Sequence, residues 1–254
     1  LHFDEPFKSL VHQGVMLGPD GNRMSKSHGN VVSPDEYVNT YGADVFRCYL
    51  AFGFKYTEGG PWSDDGIKAI NKWLDRTERY VLAAYGDYPT TDSIGSAEKE
   101  LNRQRHNTIK AVDADYNDFS FNTAVARMME LVNALAKYDQ QSVKNATLYR
   151  ETVDDLLKLI CPLAPHFAEE LWQQTGHNGS VVVSKFPVYD EEQLKATEAE
   201  LLVQFNSRPK TRITVDTTLS PKEIEAIVLA DDKVKELLAG QSPKKVIVIP
   251  GRLV

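Results

Sequence analysis

The sequence predicts a multidomain, mainly α-helical protein: a short lead of strand, turns and helices, then a helical bundle, then a small α+β module. Three observations carry that prediction. Between residues 63 and 175 apolar residues recur at helical spacing, as in Phe121, Val125, Met128, Val132 and Leu135 at steps of 4-3-4-3. Before residue 63, Gly and Pro cut the chain into short segments. After Gly176 the period shortens to that of strands, in "ELLVQF" and "KTRITV". At 254 residues the chain has room for one large domain or two to three small ones.

In chain order, "LVHQGVML" (10–17) reads as a strand that ends at the turn formers of "GPDGN". A loop follows. Ser33, Pro34 and Glu36 have the spacing of a capping box with Pro at the first helical position, so a helix is expected from there to Gly42. A second helix is expected through "ADVFRCYLAF" to Gly53. Ser63 can cap a long helix whose buried face is Ile67, Ile70, Leu74, Val81 and Tyr85. "YPTTDSIGS" is a linker, and helices are expected at 97–115, 121–138 and 147–160. Pro162 and Pro165 break the chain before a further helix from Pro165, giving a bundle of four to five helices. "VVVSKFP" is a strand or an extended linker. The terminal module then reads strand, strand, helix, helix and the strand "KKVIVIP", with a second capping box at Ser220–Glu223. The expected domains are therefore 1–62, 63–178, a linker at 179–198, and 199–254.

Apolar content is 42% and charged content 26%, an ordinary balance for a soluble globular protein. No apolar run approaches the roughly 20 residues of a membrane span, and no signal-peptide pattern is present, so a cytoplasmic chain without membrane contact is expected. It opens at Leu1, which suggests a piece of something larger. Cys48 and Cys161 have no metal-ligand spacing and read as two buried thiols of a reducing compartment; no metal site is expected. Net charge is −7, which argues against a nucleic-acid coat, yet residues 195–254 carry ten Lys/Arg against eight Asp/Glu, a local +2. A polynucleotide contact should therefore be local and partial.

The stretch "GPDGNRMSKSHGN" offers chemistry rather than core. Lys26 stands between Ser25 and Ser27, with glycines on either side. An ammonium is a compact charge with three donors, and hydroxyls with backbone N–H groups add donors for phosphate oxygens. Such a loop suits an anion whose charge grows during a reaction. His28 is given no chemistry; His166 reads as a packed or capping residue, Trp62, Trp73 and Trp172 as interface or core, and Met128 with Met129 as core filling.

"RMSKSHGNVVSPDEYVNTYGAD" resembles the Lys-Met-Ser-Lys-Ser region of class I aminoacyl-tRNA synthetases, with Arg23 in place of the first lysine. The resemblance implies the end of a Rossmann-type class I catalytic domain at 1–62, an anticodon-binding bundle, and a C-terminal tRNA-binding module. It implies that Lys26 is the catalytic contact to the departing pyrophosphate of ATP, with Arg23, Met24, Ser25 and Ser27 completing the nucleotide loop and Mg²⁺ accompanying ATP. "PWSDDGIKAINKWL", "FNTAVARMMELVNALAK", "CPLAPHFAEELW" and "VIVIPGRLV" are similar to the tail of the bacterial-type leucyl family, which adds leucine and tRNA(Leu) as partners of a monomeric enzyme. The alternatives are an isoleucyl or valyl relative, or a non-catalytic tRNA-binding paralogue. The β-β-α-α-β ending disfavours the former and the intact Met-Ser-Lys-Ser the latter.

No His-x-Gly-His occurs, so the isolated chain is expected to form no adenylate and to edit nothing. Editing exists because side chains differing by a methylene are hard to separate by binding. The resemblance puts tRNA beside the bundle, where Arg103, Arg105 and Lys110 are candidates, and against the terminal module, where Arg208, Lys210, Arg212, Lys244, Lys245 and Arg252 are. Lys210 and Arg212 alternate with Thr211 and Ile213 and should share one side of a strand. The leucyl pattern near 206–209 is Asn-Gly-Lys-x, against Asn-Ser-Arg-Pro here.

Overall fold

Among the described residues, the first pairing along the chain is parallel and three residues long. The computed structural model describes residues 6–194, 198–205, 208–216, 220–238, 243 and 246–249. β1 (Val15–Leu17) pairs with β2 (Gly59–Pro61), Val15 opposite Gly59 and Leu17 opposite Pro61. The strand expected over 10–17 is shorter, because the partner is short and Pro61 has no N–H with which to extend the ladder. Gly59 sits at φ 71°, and a Cβ there would strike the Val15 carbonyl; only glycine allows that approach.

Two helices form the crossover that parallel strands require. They are α1 (Pro34–Tyr41) and α2 (Ala43–Phe52), divided at Gly42. Pro34 takes the first helical position, but the Ser33 side chain makes no capping bond, so the expected Ser33–Glu36 capping box is absent. Asp35 and Glu36 instead place carboxylates in the first turn, where they complement the helix dipole.

Five helices follow: α3 (Asp64–Ala84), α4 (Ser96–Asn117), α5 (Phe121–Asp139), α6 (Ala146–Ile160) and α7 (Pro165–Gln174). Local chemistry sets their starts. Ser63 Oγ accepts from the Gly66 N–H, Glu98 from Gly95, and Asn145 Oδ1 from Leu148. At α7 the cap comes from a distant residue: Asp44 Oδ2 accepts from the Phe167 N–H at 2.7 Å. His166 is exposed and bonds the same carboxylate through Nδ1, so it neither packs nor caps directly.

Most of the predicted inward positions are buried: Ile67, Ile70, Leu74 and Val81 on α3, and Val125, Met128, Val132 and Leu135 on α5. Tyr85, which caps α3 from beyond its last turn, and Phe121, the first residue of α5, are only half-buried. One apolar core runs from Val45 to Val181, including all three tryptophans, and residues 1–191 form one compact unit. The "VVVSKFP" segment begins with a 3₁₀ turn, Val181–Val183, because Ser180 Oγ and Glu169 take up the Val182 and Val181 N–H groups.

Residues 192–254 make the second compact unit. β3 (Glu198–Phe205) and β4 (Arg208–Asp216) are antiparallel, with an irregularity between Val203 and Gln204. α8 (Pro221–Ala230) starts with the predicted capping box, Glu223 N–H to Ser220 Oγ and Ser220 N–H to Glu223, and α9 (Asp232–Leu238) follows. Leu201, Val203, Val215, Ile224, Val228 and Val234 form its core. The expected final strand is not formed at 246–248, where only Ile249 beyond them makes an isolated bridge; Val248 still packs on the core. Lys244, Lys245 and Arg252 lie outside the described residues.

Candidate functional site

The Met-Ser-Lys-Ser loop is built on a polar frame. Leu17 bridges to Arg23, and Gly18 N–H bonds the Asn22 carbonyl at 2.8 Å, closing the "GPDGN" turn. The Asp20 carboxylate accepts from the Asn22 N–H at 3.1 Å and from both Asn22 and Asn30 side-chain amides. Those bonds, the Asn22 N–H first, hold the Asp20 carboxyl below the usual carboxylate range. Asn30 reaches back across the loop: Oδ1 accepts from the Ser25 N–H at 2.8 Å and Nδ2 donates to the Arg23 carbonyl at 3.2 Å. A loop with little to bury is thus held by hydrogen bonds.

Lys26–His28 form a single 3₁₀ turn closed by Gly29 at φ 65°. The left-handed backbone there suits glycine. Met24 turns inward against the core, while the Ser25 and Ser27 hydroxyls lie 2.7 Å apart. Arg23, Lys26 and Ser27 are exposed, and among the described residues neither cation has a hydrogen-bonded or ionic partner. The result is a fixed backbone that presents two unneutralised cations and two hydroxyls. Of the frame, Asn30 follows Gly29 and could have been read as a loop-closing amide; Asp20 and Asn22 read only as turn formers.

The cations chosen for RNA contact divide into two kinds. Arg103 bonds Glu100 through two nitrogens at 2.8 and 2.6 Å. Arg105, only 14% exposed, joins Glu151 at 2.6 Å and Asp155 at 2.7 Å, tying α4 to α6, with Lys158 also on Asp155. Lys110 pairs with Glu191 and lies over the Tyr189 ring. His106 Nδ1 accepts from the Asp190 N–H, and burial, then Arg105, pull its pKa down, which suits a neutral acceptor. On β4, Arg208, Lys210 and Arg212 are all exposed, with Thr211, Ile213 and Val215 turned inward. Arg212 pairs with Glu200 at 3.0 Å; Arg208 and Lys210 have no partner among the described residues.

Cys48 is buried, and burial pushes its thiol up to about 12. Cys161 is half-buried rather than buried, its thiol raised by the same cause. Among the described residues no three His, Cys, Asp or Glu side chains gather where they could hold a metal ion, and no helix is long and apolar enough to cross a membrane.

An exposed cationic loop stands ahead of a helical bundle, and comparison with known proteins gives this pairing a class. Residues 98–228 match the family described as the anticodon-binding domain of tRNA ligase, and residues 1–59 match class I tRNA synthetases (I, L, M and V). The chain belongs to that tRNA ligase anticodon-binding family.

Its relatives narrow the likeness to leucine. It is 52% identical to the leucine–tRNA ligase of Clostridium beijerinckii and 49% identical to that of Caldanaerobacter subterraneus subsp. tengcongensis. Each alignment covers all of this chain and 32% of the relative, so the chain spans about a third of their length. In structure it resembles the LeuRS in the ternary LeuRS-tRNA-LeuAMS complex of Agrobacterium radiobacter K84 agnB2, with TM-score 0.74 and 31% identity over 99% of this chain and 33% of that one. Mycobacterium tuberculosis methionyl-tRNA synthetase shares the fold over 69% of this chain at TM-score 0.54 and 19% identity.

Proposed function

We propose that this chain supplies the pyrophosphate-stabilising loop and the tRNA-binding parts of a leucine–tRNA ligase. The observation that carries the reading is Lys26: an exposed ammonium with no partner among the described residues, held on a loop frame closed by Asn30. In the reaction proposed, the leucine carboxylate attacks the α-phosphorus of ATP, the bond to the bridging β-oxygen breaks, and pyrophosphate leaves with that electron pair. Lys26 stabilises the charge growing on the leaving oxygens and transfers no proton. Arg23 and Ser27 add donors, Ser25 fixes the Ser27 hydroxyl, and Met24 anchors the loop through its apolar contact. Mg²⁺ arrives with ATP as part of the substrate.

A hydroxyl of the 3′-terminal ribose of tRNA(Leu) then attacks the carbonyl of the leucyl-adenylate, the bond from that carbon to the phosphate oxygen breaks, and AMP leaves with the electron pair. On this reading 1–62 closes the catalytic domain, 63–178 lies beside the tRNA stem, and 199–254 is a C-terminal α+β tRNA-binding domain carrying Arg208, Lys210 and Arg212. On the bundle side Arg103, Arg105 and Lys110 already pair with carboxylates, so the contact falls chiefly to the terminal set, with which Lys244, Lys245 and Arg252 belong. A monomeric, cytoplasmic enzyme is part of the same proposal.

The test is Lys26→Ala in the full-length enzyme that contains this sequence, read by leucine-dependent pyrophosphate exchange. Removing one preorganised charge contact should lower the maximal exchange rate by about 10²–10³-fold with little change in the KM for leucine. A rate within twofold of the parent overturns the assignment.

A further inference from the structure

One residue outside the loop holds both of its stems. The Trp62 backbone N–H donates to the Leu17 carbonyl at 3.0 Å, and Leu17 is the last residue before the loop and bridges Arg23 on its far side. The Trp62 indole Nε1–H donates to Asp64 Oδ1 at 2.8 Å and to the Tyr37 hydroxyl at 3.1 Å. Tyr37 belongs to α1, the helix the loop leads into, and its own hydroxyl donates to Asp64 Oδ1 at 2.6 Å. The indole is 4% exposed, with Tyr37 and Tyr49 rings at 4.5 and 4.8 Å. Asp64 is the first residue of α3, so its carboxylate ties the Tyr37 stem directly, and the Leu17 stem through Trp62, to the first bundle helix.

From this geometry we infer that Trp62 is a positioning residue for Lys26: its two N–H groups set the separation of the loop's stems, with Asp64 and Tyr37 as its partners. The inference rests on the reading of Lys26 above. Packing alone would be served by any aromatic ring. The indole N–H adds a directional bond to an ionised acceptor, in a buried place where an unpaired N–H is costly. Among the three tryptophans the contrast is direct, since the buried indole nitrogens of Trp73 and Trp172 have no partner among the described residues. Only Trp62 spends its N–H on other elements.

The experiment uses Trp62→Phe, which keeps a ring and loses the N–H, and Tyr37→Phe, which removes one hydroxyl from a half-buried residue and covers the case in which Trp62→Phe fails to fold. In the full-length enzyme, pyrophosphate exchange should show kcat/KM for ATP lowered by about tenfold in each variant, with the KM for leucine unchanged. Limited trypsin digestion gives a second readout independent of activity. Cleavage after Arg23 and Lys26 should accelerate by several-fold relative to cleavage elsewhere in the chain, whereas a merely structural defect accelerates every site together. Unchanged ATP kinetics with an unchanged cleavage ratio overturns the positioning role, as does a fall shared equally between ATP and leucine with uniform cleavage. Wild-type enzyme without leucine-dependent exchange would remove the function proposed for Lys26 instead, and the cleavage ratio would still decide the role of Trp62.

Discussion

Replacing Asn30 by Ala should release the signature loop, and the size of the effect can be worked from its bonds. Oδ1 accepts from the Ser25 N–H at 2.8 Å, while Nδ2 lies within 3.2 Å of three acceptors, the two Asp20 oxygens and the Arg23 carbonyl. Two amide protons can serve at most two of those three. The variant therefore loses about three bonds, two neutral and one to a carboxylate. The two neutral bonds, at about 0.5–1.5 kcal/mol each, set the loss at about 1–3 kcal/mol; the bond to the exposed Asp20 carboxylate is screened by solvent and adds little. Each 1.4 kcal/mol is tenfold, so loop opening should become about 5–150 times more frequent.

The assay is amide hydrogen exchange at Ser25, whose N–H has no other acceptor recorded within the loop. Acid should mimic the variant in part. Asp20 has a depressed folded-state pKa, so its contribution is present above the ordinary value of 3.8 and is lost as pH falls through the lower folded value. Ser25 protection, corrected for intrinsic exchange, should thus weaken below about pH 4 in the parent and show no such step in Asn30→Ala. Exchange accelerated by less than threefold in the variant would refute the claim that this amide holds the loop.

Three further outcomes follow from the cations. Arg105→Met should destabilise the bundle by about 2–4 kcal/mol, because Asp155 is buried and keeps only Lys158; thermal unfolding should fall by about 4–16 °C. Lys110→Met, breaking an exposed pair, should move it by less than about 2 °C. Replacing Arg208, Lys210 and Arg212 together by Ala should weaken tRNA binding and flatten log K against log salt by roughly 0.7–0.9 per lost phosphate contact. An unchanged slope in a filter-binding titration would remove β4 from the interface.

The helices were legible because their physics is local. Ser63, Asn145, Pro165 and the Ser220–Glu223 pair act within one turn, so the start of each helix stands in the sequence within a residue or two. Ser33 has the same local pattern and makes no such bond, which spacing alone could not reveal. The strands were less legible. "LVHQGVML" has strand composition over eight residues, yet pairing stops after three because β2 is three residues long, and a partner's length is not written in the strand itself. "VVVSKFP" is still more β-rich and begins with a 3₁₀ turn, set by Glu169 eleven or more residues upstream.

The site shows the same division between chemistry that is local and pairing that is not. Lys26 was singled out by the setting of its loop, a strand before it and "GN", a helix start and "YGAD" after it, which carries the resemblance; its side chain stands without a partner among the described residues. Arg105 looks equivalent in sequence, a cation in the basic run "NRQRHNTIK", yet it faces Glu151 and Asp155 from some 46 and 50 residues away. Moving that guanidinium to a phosphate would strip two carboxylates of their counter-charge, one of them buried, and the cost of several kcal/mol exceeds what one phosphate contact returns. Arg208 and Lys210 face no such exchange, since no described carboxylate holds them. The cations free to meet a polyanion are therefore those the fold leaves unpaired. On that ground β4 outranks α4 as the proposed RNA-contact surface, and the salt slope of tRNA binding should respond to Lys210 and not to Arg105.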